Sequence, residues 1–224
     1  MISIMLAPYK FLLNHQTLWL SPERCILWED QKALILSDLH FGKSGHFRKS
    51  GIAVPQNVFK EDLQRLFSLI QYFNPLQLLI VGDFFHSNTN KEIDMFLKWR
   101  NDQANLKIHL IMGNHDILAK KFYLESDIEI THETLSIENF CFTHDIEKSC
   151  NLDSKGIFTF SGHVHPGIRI SGAGKQQLYF PCFYFTKSYA ILPAFSHFTG
   201  LSKVKPKQTD NVFVIAEKRI VKLQ

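Results

Sequence analysis

Residues 33–40 read Ala-Leu-Ile-Leu-Ser-Asp-Leu-His. A short, continuous apolar run of this length is the pattern of a buried strand, and here it runs straight into Asp38 and His40. The same syntax recurs further along. Residues 76–81 are a second apolar run that arrives at Gly82-Asp83, and residues 106–112 are a third that delivers Gly113-Asn-His-Asp116. Polar clusters placed at strand ends are where ligands sit in α/β sheets.

Between these runs the period changes. Residues 54–73 place apolar side chains at Phe59, Leu63, Leu66, Phe67, Ile70 and Phe73, which is helical spacing, and Asn74-Pro75 stops the helix. Thr89-Asn-Lys-Glu92 is a capping box, predicting a second helix through about Arg100. The second half is mostly strand: runs at 134–143, 156–161, 177–180 and 187–192, then 211–216 turning at Glu217-Lys218 into 219–223. No repeat, linker or low-complexity tract divides the chain, so one domain over residues 1–224 is expected, built as two packed sheets with helices outside.

Composition agrees. The chain has 224 residues, 45% hydrophobic and 21% charged, which are globular values that exclude disorder. Twenty phenylalanines imply an aromatic core. A net charge of +4 and a pI near 8.8 permit a phosphate-bearing partner without requiring nucleic acid. Cys25, Cys141, Cys150 and Cys182 form no Cys-x-x-Cys pair and read as reduced structural thiols. The N-terminus lacks a signal-peptide pattern, and no apolar run approaches membrane-helix length, so a cytoplasmic protein with no membrane partner is expected.

Five polar clusters carry the chemistry: Asp38-Leu-His40, Gly82-Asp83, Gly113-Asn-His-Asp116, His144 after residues 140–143, and Gly162-His-Val-His165. Two adjacent divalent cations need a bridging carboxylate, neutral imidazoles, amide or carboxylate oxygens, and open positions. Asp38 and His40, two apart, share a face if that segment is extended, and His163 with His165 repeats the spacing. Asp83, on a turn after a strand, is the natural bridge, and Asn114 adds a neutral oxygen. His132 lies in the same interval as His144; His144 is preferred because it ends a strand, as the other clusters do. Oxygen and imidazole ligands without thiolate favour Mn²⁺, Fe²⁺ or Zn²⁺ and do not choose among them; Mn²⁺ is taken as the first expectation.

In this order the clusters resemble the calcineurin-like metallophosphoesterase superfamily over residues 38–165. The resemblance implies a four-layer αββα sandwich of two mixed sheets flanked by helices, and a dinuclear site that hydrolyses phosphoesters. Metal one would take Asp38, His40, Asp83 and His165; metal two would take Asp83, Asn114, His144 and His163. His115 would stabilise or protonate the leaving group, oriented by Asp116.

Further segments narrow the resemblance. Residues 37–48 read Ser-Asp-Leu-His-Phe-Gly-Lys-Ser-Gly-His-Phe-Arg, followed by Gly51-Ile-Ala-Val-Pro55. Later come Leu178-Tyr-Phe-Pro-Cys-Phe183, Leu192-Pro-Ala-Phe195 and Phe198-Thr-Gly200. These are similar to the ligase-associated DNA damage response endonuclease (PdeM) family, which implies DNA as substrate, single-stranded by expectation, with a helicase and a DNA ligase as associated proteins. Lys43 and Arg48 follow the first ligands closely and could bind phosphates flanking the scissile one. Phe41, His46 and Phe47 could stack on bases, although aromatics of this kind are more often core. His86 could touch a phosphate or be structural. A pyrophosphatase of nucleotide-linked metabolites, resembling UDP-diacylglucosamine hydrolases, is the alternative enzyme; an inactive scaffold is disfavoured because all seven ligand positions and His115 are filled, although Asp145 stands where the superfamily often has glycine after the histidine.

Overall fold

The computed structural model describes residues 7–43, 45, 51, 58–86, 91–148, 156–171 and 177–223. The chain opens with an antiparallel meander: β1 (Tyr9–Leu13), β2 (Gln16–Ser21), β3 (Cys25–Trp28) and β4 (Ala33–Leu36). Strand–helix alternation then takes over with α1 (Val58–Phe73), β5 (Gln77–Val81), α2 (Lys91–Asp102), β6 (Lys107–Ile111), α3 (Lys120–Glu125) and β7 (Ile128–Thr131). Strands β4 to β7 are parallel, so the first sheet is mixed, seven strands in sequential order.

The second, nine-stranded sheet collects β8 (Thr134–Ile137), β9 (Phe140–Thr143), β10 (Phe158–Ser161), β11 (Pro166–Ser171), β12 (Gln177–Phe185), β13 (Tyr189–Ile191), β14 (Ser202–Lys203), β15 (Asn211–Ala216) and β16 (Arg219–Lys222). It too is mixed: β9, β10 and β13 are mutually parallel, flanked by antiparallel pairs.

Alternation of side chains along the strands sorts the core into layers. Ala33, Ile35, Leu79 and Val81 point from the first sheet onto Phe140, Phe142, Phe160, Phe183 and Phe185 of the second. The rings lock edge to face, as Phe140–Phe160 at 5.1 Å and 84° and Phe185–Phe213 at 5.7 Å and 87°. Leu34, Leu36, Leu78 and Ile80 point the other way, onto Phe59, Leu66 and Leu69 of α1 and Phe96 of α2. On the outer face of the second sheet, Cys182, Tyr184, Val212 and Val214 are covered by Val204, a loop residue, among the described residues.

Several local expectations change. Residues 134–143 form two strands, because Glu138 takes a left-handed φ of 51° and turns the chain into a β8–β9 hairpin. Phe67 is 36% exposed, and its expected place on the buried stripe of α1 goes to Leu69 and to a charged residue, Asp62. The Gln177 strand is nine residues, more than twice the expected length, since it pairs at one end with β11 and at the other with β13 and β15. Among the described residues, no helix is long and apolar enough to cross a membrane.

Candidate metal centre

The five clusters meet at the C-terminal ends of β4, β5, β6, β9 and β10. The loops after β4 and β5 continue the sheet's hydrogen bonding beyond its strands: Asp38 N–H donates to Gly82 O (3.0 Å), His40 N–H to Asp83 O (2.9 Å) and Phe41 N–H to Phe84 O (2.8 Å). Asp38 and His40 are not extended, however. Their φ values are 54° and 51°, and Asp83, His163 and His165 stand at 50°, 67° and 52°. They therefore reach the site from a coiled path, not from one face of a strand. Left-handed conformations at non-glycine residues each cost on the order of 1–3 kcal/mol and collect where a structure over-determines them for function.

Two sets of donors result. The ligating atoms of Asp38, His40 and His165 lie within 4.8 Å of one another, and so do those of Asp83, His144 and His163. His165 Nε2 is 3.3 Å from Asp38 Oδ1 and 3.5 Å from His40 Nε2. In the other set His144 Nε2 stands 3.1 Å from His163 Nδ1, 3.1 Å from Asn114 Oδ1 and 3.5 Å from Asp83 Oδ1. Asp83 faces both sets: its other oxygen, Oδ2, is 4.0 Å from His40 Nδ1.

The donor chemistry fits a cation in each set. Imidazole nitrogens and carboxylate oxygens converge with buried carboxylates between them, and His40 Nδ1 is buried without a hydrogen-bond partner. Burial holds the His40 imidazole down at about 2, with the neighbouring charges of Lys43, His165, His86 and His115 acting the same way, so it is neutral with the lone pair of one ring nitrogen available. His144 Nδ1 lies 3.4 Å from Val81 O; a proton there leaves Nε2 as the free donor. Two glycines make the approach feasible. A Cβ on Gly82 would overlap the His144 ring, and one on Gly113 would overlap the Asp83 carboxylate.

A family model for the calcineurin-like phosphoesterase matches residues 31–216. The chain belongs to the calcineurin-like phosphoesterase family. Its structure is similar to the crystal structure of Pseudomonas putida nuclease MPE, with a TM-score of 0.80 and 28% identity, covering 96% of this chain and 100% of that one. More distant likenesses are to Yfce, a phosphoesterase from E. coli (TM-score 0.46, 13% identity, 85% and 97% covered), and to the protein of unknown function AQ665 from Aquifex aeolicus (0.44, 20%, 59% and 78%). A comparison with curated proteins returns no match. The two mixed sheets are those of the calcineurin-like α/β sandwich, and the two donor sets are its candidate sites for divalent metal.

The remaining expected residues fall in different places. His132 is exposed and lines a surface hollow with Lys120, Tyr123 and Glu129, which shares no residue with the donor sets. His115 stands at the rim. Its backbone N–H donates to Asp83 Oδ1 (2.9 Å), and its ring stacks on His86 with centroids 4.0 Å apart and planes at 36°. Asp116 does not orient that ring directly. Its carboxylate oxygens accept from Phe85 N–H and Gly113 N–H, both at 2.9 Å, which ties the loop after β6 to the loop after β5. Burial pushes the Asp116 carboxyl up to about 7 against those two bonds. Lys43 is half-buried; burial lowers its pKa while the charges of Asp83 and Asp38 raise it. Arg48, His46 and Phe47 lie outside the described residues. Phe41 is core, packed on Phe59, Phe84 and Phe96.

One support was not legible in advance. The segment after β13 lies along the first motif: Phe195 N–H donates to Ser37 O (2.8 Å) and Ser196 N–H to Asp38 O (3.3 Å). Two arginines hold that segment. Arg24 Nη1 donates to Ala194 O (3.2 Å) and Ser196 O (2.9 Å), and Arg65 Nη2 donates to Phe195 O. The signal in the sequence was Asp62 and Arg65, three apart on a stripe of α1 that is otherwise apolar.

Proposed function

We propose that this chain is a DNA phosphodiesterase that works with two divalent cations, Mn²⁺ first among them. The observation that carries this reading is Asp83, whose two oxygens face the two donor sets, one each. On that reading Asp38, His40, Asp83 and His165 hold one cation, and Asp83, Asn114, His144 and His163 hold the other. Bound cations would supply the Lewis acidity that makes a nucleophile of water at neutral pH and offsets charge on the phosphate.

The chain's own groups do the rest. Asp83 keeps the two sets at a fixed separation and, by accepting the His115 N–H, fixes the His115 backbone relative to them. The His115 ring, half-buried at the rim and stacked on His86, is positioned to give its proton to the leaving oxygen or to clamp the developing charge. The Lys43 ammonium, close enough to feel both Asp38 and Asp83, offers a cation for a phosphate oxygen. A nucleic acid as the substrate is supported by the likeness to the Pseudomonas putida nuclease, and DNA in particular by the resemblance of the motifs to the ligase-associated endonuclease family. Action in DNA repair beside a helicase and a DNA ligase is part of the same proposal, implied by the resemblance of the segments at residues 37–55 and 178–200 to the ligase-associated endonuclease family.

The test is hydrolysis of single-stranded DNA, duplex DNA and a UDP-linked lipid precursor under one Mn²⁺ condition. Cleavage of DNA above the lipid precursor is expected. Turnover of the lipid precursor with DNA intact would replace DNA as the substrate.

A further inference from the structure

Strand β11 leaves directly from the last histidine pair, Pro166 following His165. The strand registers say where it goes. Ser161, at the end of β10, is level with Ile191, and Ile191 with Tyr184. The part of β12 ahead of Tyr184 therefore continues past the strand ends that carry the donor sets. Tyr179, five residues further, projects roughly 17 Å beyond that level at about 3.4 Å per residue.

Alternation then fixes which way each side chain faces. Phe183 and Phe185 belong to the core between the sheets, whereas Cys182 and Tyr184 belong to the outer cluster. Gln177 and Tyr179 thus continue the inner face, on the side of the donor sets. Arg169 is paired with Tyr179 and Lys203 with Gly167, and paired residues share a face. Val204, the neighbour of Lys203, is buried in the outer cluster, which agrees. Tyr179 is 49% exposed, and Arg169 and Lys203 are exposed too. Arg169 Nη1 donates to Gln177 Oε1 at 3.2 Å, which lays the guanidinium along the face. The described residues of this face include no carboxylate. The apolar side chains of the hairpin, Ile170 and Leu178, lie on the opposite face.

From this arrangement we infer that the inner face of the β11–β12 hairpin is a track for single-stranded DNA: Tyr179 stacks on a base, and Arg169 and Lys203 hold flanking phosphates, a few nucleotides from the scissile bond. An aromatic ring between two cations, without a carboxylate, is complementary to a strand whose bases and phosphates alternate. A protein partner would be expected on the apolar face, which is the other one. The inference rests on DNA being the substrate.

The experiment is fluorescence anisotropy of a fluorescein-labelled oligothymidine with the full chain in chelator, beside hydrolysis of bis(p-nitrophenyl) phosphate and of the oligonucleotide by the unsubstituted protein in Mn²⁺. Tyr179→Ala should weaken binding about fivefold or more, the range for removal of one base stack, and Tyr179→Phe should retain it. Arg169→Ala with Lys203→Ala should lower the slope of log K against log salt by about 0.7 for each phosphate that is no longer neutralised. Thermal melts verify that each variant folds, and the salt slope is an independent reading should Tyr179→Ala not fold. If the unsubstituted protein cleaves DNA but the variants bind with native affinity and slope, the track is wrong and the DNA reading stands. If it hydrolyses the small diester but neither binds nor cleaves DNA, both fall.

Discussion

Arg65→Ala tests whether the buried arginine clamp supports the first motif. Arg65 Nη1 is 3.0 Å from Asp62 Oδ1 and Nε is 3.4 Å from Glu23 Oε2, with both aspartate and arginine side chains almost out of solvent. The guanidinium also lies 4.1 Å over the Phe195 ring. Burial pulls the Arg65 pKa down and pushes that of Asp62 up, each partner's charge opposing the shift, so the pair is desolvated and mutually dependent. Removing the arginine leaves the buried Asp62 carboxylate with only its hydrogen bonds to Ser196 and His197 and the charge of Arg24, so the loss should approach the ~3–5 kcal/mol of a broken buried pair. That is a large fraction of the ~5–15 kcal/mol of a typical domain. Removing Asp62 as well should cost less than the sum of the single changes, with a coupling of about 1–3 kcal/mol. Because Phe195 and Ser196 bond Ser37 O and Asp38 O, the single variant should also bind metal more weakly. Urea unfolding of chelator-treated protein measures the stability without a contribution from bound cation. A loss below about 1 kcal/mol, as for exposed ion pairs, or an additive double variant would refute the reasoning.

Three further outcomes are expected. His115→Ala should keep its metal, since only the backbone N–H of that residue meets Asp83, but should lose about 100-fold or more in turnover on bis(p-nitrophenyl) phosphate; a fall in metal content instead would make it a ligand. Lys43→Ala with Arg48→Ala should reduce DNA cleavage more than cleavage of the small diester, and equal losses would count against a polyanion contact. Cys25 and Cys182, buried and with thiols pushed up to about 12 by desolvation, should react with a thiol reagent at neutral pH only as the protein unfolds; reaction at the rate of a free thiol would show them accessible.

The legible parts of the fold were those where one signal acted alone. Strands β4 and β5 are short, largely apolar and buried on both faces, β6 ends in a buried Leu110-Ile111, and residues 211–216 and 219–222 flank a two-residue turn, so these patterns read directly. Edge strand β1 was missed because, although Tyr9–Leu13 alternates between half-buried and exposed positions, one of its exposed positions is the apolar Leu12, which hides the alternation in the sequence. The polar clusters were recognisable because each ends a strand. The path they take was not, since left-handed φ at Asp38 and His40 is imposed by bonds to Gly82 and Asp83, some forty residues away in sequence. Asp116 misled for a related reason: adjacency to His115 suggested a side-chain contact, whereas its carboxylate is claimed by backbone N–H groups of two loops.

The most direct test of the two-cation claim is metal content per chain, by elemental analysis after reconstitution with Mn²⁺, for the unsubstituted protein and for Asp83→Ala. Two ions per chain should fall to one or fewer in the variant, with hydrolysis of the small diester abolished, because Asp83 faces both donor sets. One ion or none in the unsubstituted protein, or full activity in the variant, would contradict the account.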